Sequence, residues 1–142
     1  MSSGIYNLGD RAITTALTDQ VITAGVSSAA VAQAFIDQLE FMVAVTLFVN
    51  FQYGSGGTAA IVIVETTLDG TNWIEIARFD FATATAAKRA NLSGLTPVAL
   101  AAVAALSANS VLDGILGDRL RARVTSTGTY ANTTVSVRAA VR

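Results

Sequence analysis

The segment FMVAVTLFVNFQY, residues 41–53, narrows the choice of fold more than any other. Phe41, Val43, Val45, Leu47, Val49, Phe51 and Tyr53 share one parity, while Thr46, Asn50 and Gln52 fall on the other. A period of two sends alternate side chains to opposite faces of an extended chain, so this segment predicts a long strand with one face in a core. Gly54, Ser55, Gly56 and Gly57 follow, a run that tolerates positive φ and predicts a hairpin loop. The return strand would be TAAIVIVETT, residues 58–67. Its Ile61, Val62, Ile63 and Val64 are apolar in succession, so both faces should be covered, one by the core and one by a neighbouring segment or subunit.

Similar patterns recur. NWIEIA and RFDFATA alternate over shorter lengths, and AAKRANL suggests a further strand. DRLRARVTST sets Leu120, Ala122 and Val124 against Arg119, Arg121 and Arg123. After the TGTYAN turn, TTVSVRAAVR sets Thr133, Val135, Val137, Ala139 and Val141 against Ser136, Arg138 and Arg142, which predicts a second hairpin with one apolar face. RAITTAL and QVITAG suggest strands of an N-terminal hairpin or arm over residues 1–25. A short helix is expected within residues 27–38. In TPVALAAVAALSAN, Thr96 and Pro97 favour a helix start, yet the segment has no charge and a flat pattern, so a long apolar connection is equally compatible. About eight short strands with closely spaced turns predict an all-β, antiparallel β-sandwich of jelly-roll type. The single sandwich domain would occupy residues 26–142, preceded by the arm.

Composition bounds what such a domain can do. Of 142 residues, 52% are apolar and 13% charged, against about 25% charged in an average soluble domain. A small domain has too much surface to hide that apolar content internally, so an oligomer or lattice component is expected. Apolar runs such as residues 98–106 fall short of the roughly 20 residues a spanning helix needs, so no membrane role is expected. MSSGIYNLGD has neither a basic nor an apolar signal region, so a secretory signal is not expected. A net charge of −1 gives no general pull toward nucleic acid. Cysteine and histidine are both absent, which removes thiolate and imidazole chemistry and leaves Asp, Glu, Tyr and Lys88 for any acid–base work. Neither an enzyme nor a cofactor or metal site is expected.

Three local patterns bear on function. TTLDGTNW resembles the Asp box of sialidases with its glycine one residue too early. Asp69-Gly70 between strands predicts a hairpin turn of type I′, with Trp73 packed on the sheet; a sugar stacked on Trp73 is the sharper alternative. Arg119, Arg121 and Arg123, with Arg138 across the expected hairpin, form an arginine ladder. Like charges repel on one sheet face, so cross-strand pairing with Glu65, Glu75 or Asp80 is the first expectation. A basic patch docking an acidic protein surface is the second, and nucleic acid the third, disfavoured because no aromatic residues interleave with the arginines. VLDGILGD places Asp113 and Asp118 at a spacing that matches no EF-hand, so turn chemistry explains it better.

The stretches Tyr53-Gly54-Ser55-Gly56-Gly57-Thr58, Thr67-Leu68-Asp69-Gly70 with Trp73, and Leu116-Gly117-Asp118-Arg119 with Thr127-Gly128-Thr129-Tyr130 carry a resemblance. Over residues 41–139 the chain resembles small structural proteins of tailed bacteriophages and prophages. The resemblance implies a virion protein, favouring a jelly-roll capsid decoration, or cement, protein. Such a protein would be made in the bacterial host cytoplasm and sit on the capsid exterior. It would be bound to the major capsid protein and to copies of itself, for example as a trimer. On that expectation the Ile61 and Ile63 strand would serve self-association, residues 1–25 would reach across subunit seams, and the arginines would set register on the shell. The rival expectation is a tail, head-fibre or receptor-contact sandwich in which Trp73 and Tyr130 meet a surface glycan.

Overall fold

The computed structural model describes residues 3–142, and among these the chain is built from strands, with no helix. In chain order they are β1 (Gly4–Ile13), β2 (Leu17–Val21), β3 (Gly25–Val26), β4 (Ala32–Gln33), β5 (Ala44–Gln52), β6 (Ser55–Gly56) and β7 (Ala59–Thr67). There follow β8 (Trp73–Phe81), β9 (Ala86–Ser93), β10 (Ser110–Val111), β11 (Leu120–Thr127), β12 (Tyr130–Ala131) and β13 (Thr133–Val141). The first sheet has the order β1-β13-β5-β9 and the second β10-β8-β7-β11-β2, with all pairings antiparallel. The two pack as a β-sandwich.

Period two holds over β5, β11 and β13, but Phe41 and Val43, expected on the buried face, precede β5 and are exposed. Val45, Leu47, Val49 and Phe51 of β5 are buried, as are Val135, Val137, Ala139 and Val141 of β13 and Leu120, Ala122 and Val124 of β11. Between the sheets Phe51 stacks on Phe81 with ring centroids 4.9 Å apart and meets Tyr130 edge-on at 6.0 Å. Such offset and edge contacts add to the burial that drives the sheets together.

The two expected hairpins do not form. β5 pairs with β13 and β9, whereas β7 pairs with β8 and β11, so residues 53–58 carry the chain from one sheet to the other. Likewise β11 and β13 lie in opposite sheets. The two crossings are themselves joined, since β6 in one pairs with β12 in the other. The glycine run serves this approach: Gly57 has φ +69 and lies against Tyr130, whose ring a side chain there would enter.

The expected arm is also corrected for the described residues. β1 pairs with β13 from Gly4↔Val141 to Ile13↔Thr133, around a bulge between Asn7 and Gly9, and β2 pairs with β11. Leu8 and Ile13 are fully buried, so this segment closes one side of the core. Met1 and Ser2 lie outside the described residues.

The helix expected within residues 27–38 is absent, and of the two alternatives for the segment after Thr96 the long apolar connection holds. In residues 27–38 a tight turn, with Ala30 at φ 61 and its N–H donating to the Ser27 carbonyl, joins β3 to β4. Residues 94–109 run irregularly over the surface, and the Thr96 hydroxyl donates to Asp113 Oδ2 at 3.0 Å. A flat apolar sequence offers no amphipathic stripe to bury, and tertiary burial is what stabilises most helices.

Candidate functional site

The outer face of the second sheet carries a cross-strand network of charged side chains. β7 is central, and the register sets Arg121 opposite Glu65, Arg123 opposite Ile63, and Ile63 opposite Arg78. A bulge between Val64 and Glu65 then sets Glu65 opposite Glu75. Two carboxylates so placed repel, and Arg123 bridges them. Its Nε lies 3.1 Å from Glu65 Oε1, its Nη2 lies 2.8 Å from Glu75 Oε2, and its Nη1 contacts Asp19 of β2. Arg121 Nε adds a second bond to Glu65 Oε1 at 2.9 Å. With the Glu65 side chain only 5% exposed and that of Arg123 15%, this is a largely desolvated network. Burial works to lower the Arg123 pKa, but Glu65, Asp19 and Glu75 outweigh it and raise it.

The same face anchors the uncharged segment. Arg78 holds Asp80 through two bonds of 3.0 Å and donates a third to the Leu106 carbonyl at 3.1 Å, while the Leu106 N–H donates to Glu75 Oε1 at 3.0 Å. Asp80 also accepts from the Asn109 N–H at 3.1 Å. Burial pushes the Asp80 pKa up, but the bonds from Arg78 and Asn109 outweigh it and leave the pKa below its ordinary value.

At the other end of this face the Arg121 guanidinium lies 4.2 Å from the centroid of the Trp73 ring. Phe35 approaches Trp73 at 5.7 Å, and Arg119 lies 5.0 Å from the centroid of Phe35. These are cation–π contacts that occupy one face of the indole.

Cross-strand pairing of the ladder is what the geometry holds for Arg121 and Arg123. The free basic patch is corrected, because Glu65, Glu75 and Asp19 neutralise it. Arg119 lies over Phe35 instead of joining the network, and Arg138 sits in the opposite sheet, 3.0 Å from Asp10 and 2.8 Å from Asn7. Ile61 and Ile63 lie on a central strand with no free edge, and Ile63 is 8% exposed. The strand therefore offers no edge for self-association, and Ile61 is only partly exposed on its outer face. Tyr130 is 1% exposed and its hydroxyl donates to the Ala82 carbonyl at 2.8 Å, which removes it as a glycan contact.

Asp69 and Asp113 are turn residues. Asp69 Oδ1 accepts from the N–H groups of Asn72 at 2.7 Å and Thr71 at 2.8 Å, which hold its pKa far below the usual carboxylate range. The loop between β7 and β8 spans residues 68–72, with Gly70 at φ 79 and Asp69 at ordinary φ, so it is longer than the expected two-residue turn. Asp113 Oδ1 accepts from the Ser93 N–H at 2.7 Å. Among the described residues, no cluster of three or more Asp and Glu is placed to hold a metal ion.

Two features went unread in the sequence. One is the exposure of residues 94–109, where Leu95 is 77%, Leu100 102% and Val103 70% exposed. The other is a groove of about 530 Å³ on the open side of the sandwich between β9 and β10, lined by Arg78, Phe79, Lys88, Arg89, Ser110 and Val111 among others. Lys88 stands on the core-facing parity of β9, opposite Val49, and its Nζ contacts the Asp80 carbonyl and Asn109 Oδ1. That a lone lysine interrupts the apolar parity of AAKRANL was the available signal. No family model, no curated protein and no solved structure matches the chain.

Proposed function

We propose that this chain is a structural virion protein of a tailed bacteriophage or prophage. In this reading it coats the capsid exterior and bridges neighbouring major capsid protein subunits, with copies of itself alongside. The observation that carries the reading is the segment 94–109: it has no charged residue, exposes Leu95, Leu100 and Val103, and is anchored to the second sheet at Leu106. Apolar surface gains about 25 cal/mol per Å² when removed from water, so a contiguous exposed run is a contact waiting for its other half.

The strand pairing supports the jelly-roll part of the reading. Of the eight strands with five or more residues, the first pairs with the last (β1 with β13), the second with the next to last (β2 with β11), then β5 with β9 and β7 with β8. One long antiparallel ribbon rolled into two sheets has this pairing, which is the jelly-roll plan. A cement protein works mechanically: several modest contacts made at once by a stiff plate act at high effective concentration. The cross-linked arginine and glutamate face suits a plate of that kind, and neutral chemistry suffices.

The test is addition of purified protein to undecorated capsids. Wild type should bind saturably, and Leu100→Asp should lose occupancy at least tenfold while remaining folded. Equal occupancy of the two proteins removes segment 94–109 from the interface. Failure of the wild type to bind rejects the cement role.

The rival glycan reading keeps one observation, a depression of about 530 Å³ lined by Leu68, Asp69, Asn72, Trp73, Ile74 and Val103. A glycan array read with wild type and Trp73→Ala separates the two: sugar binding that Trp73→Ala abolishes favours the rival.

A further inference from the structure

We infer that the outer edge of β9 is a strand-addition site for an extended, acidic peptide segment of a partner protein. β9 pairs with β5 and with no other strand. The Ser93 N–H points away from β5, since it donates to Asp113 Oδ1, and the Gly94 N–H points back, to the Val43 carbonyl. Amides alternate in direction along an antiparallel edge, so the N–H and C=O groups of Ala87, Arg89 and Asn91 face outward as well. They span about 13 Å, room for a strand of about five residues.

Charge selects the occupant. Arg78, Lys88 and Arg89 line the groove beside this edge, and no carboxylate does. Asp80 stands next to it, held by Arg78. Arg89 is exposed and has no ion-pair partner among the described residues. An inward-pointing lysine on an edge strand discourages pairing with a plain apolar strand, whereas acidic side chains at alternate positions would meet Arg89 on the outer face favourably. A second copy fits less well. Antiparallel β9–β9 pairing centred on the outward-facing amides sets Arg89 directly opposite Arg89, and like charges so placed are destabilising. Main-chain bonds would supply affinity and the cations direction.

This edge deepens the proposed function, on which it rests only for where the acidic segment comes from. It is tested apart from capsids, on the full chain, with a capped hexapeptide of alternating Val and Glu as probe. Titration should saturate, with the amide signals of Ala87, Arg89 and Asn91 shifting in two-dimensional NMR. Affinity should fall at least tenfold in Arg89→Glu and in Ala87→Pro, which removes one outward N–H at an edge position where proline is tolerated. The peptide with lysine for glutamate should not bind, nor should one N-methylated at alternate amides along its pairing edge. The inference is overturned if the probe does not bind, if the N-methylated peptide binds as well as the parent, or if oligothymidylate binds the groove as tightly. It is also overturned if Ala87→Pro stays folded and binds undiminished. Capsid addition that persists without probe binding would leave the cement role standing and remove this edge from it.

Discussion

The outer face of the second sheet and the segment that lies over it are made on opposite plans. On the face, Glu65, Glu75, Arg121, Arg123 and Asp19 satisfy one another through bonds that join β2, β11, β7 and β8. On the segment 94–109 there is no charge to satisfy, and Leu95, Leu100 and Val103 stand in water. A chain with few ionisable groups has spent many of them inside its own sheet, leaving its greasiest stretch as surface. In the proposed reading the face governs how firmly the sandwich holds its shape, and the segment governs what the sandwich touches.

Substitutions at the two places should accordingly separate stability from attachment. The largest effect is expected from Glu65→Ala, which leaves Arg121 without its carboxylate and takes one of three from Arg123 in a site that is mostly desolvated. Removing one partner of a fully buried pair costs about 3–5 kcal/mol; because these arginines keep some contact with solvent, about 2 kcal/mol is expected. Urea unfolding checks it, and a loss below about 0.5 kcal/mol would show the network to be decorative. A smaller effect is expected from acid. The folded pKa of Asp80 lies below its ordinary 3.8, so its contribution is present above that value and is lost as pH falls through the folded pKa. Stability followed from pH 5 downward should decline less steeply in Asp80→Asn than in wild type, and parallel declines would exclude Asp80 as a contributor. The smallest effect on stability is expected from Leu100→Asp, within about 0.5 kcal/mol of wild type as for a surface substitution. A large loss there would mean that the segment is part of the fold and not a contact surface.

The same contrast explains what could be read from the sequence. Alternation identified β5, β11 and β13 and the faces they bury, because period two is a property of a single strand. It could not say which strands are neighbours. Residues 53–58 look like a hairpin loop but cross between sheets, and that choice is made by the opposite sheet, whose β12 pairs with β6. The arm expected over residues 1–25 became two edge strands for a related reason: Leu8 and Ile13 are too sparse to announce a buried face until β13 is beside them. The arginine pairing was legible as charge balance: Glu65 and Glu75 meet Arg121 and Arg123 as expected, whereas Asp80 pairs with Arg78 and Asp19 was not foreseen. Arg138 was misplaced because its strand was assigned to the wrong sheet. The free edge of β9 required knowing that nothing follows it in the first sheet.

The central claim is that segment 94–109 is half of an interface completed by a capsid. Electron microscopy of intact particles at side-chain resolution tests it most directly. The account predicts sandwich density on the shell exterior with Leu95, Leu100 and Val103 buried against major capsid protein or a neighbouring copy. Finding the sandwich at the tail, or on the shell with those three residues facing solvent, would contradict it.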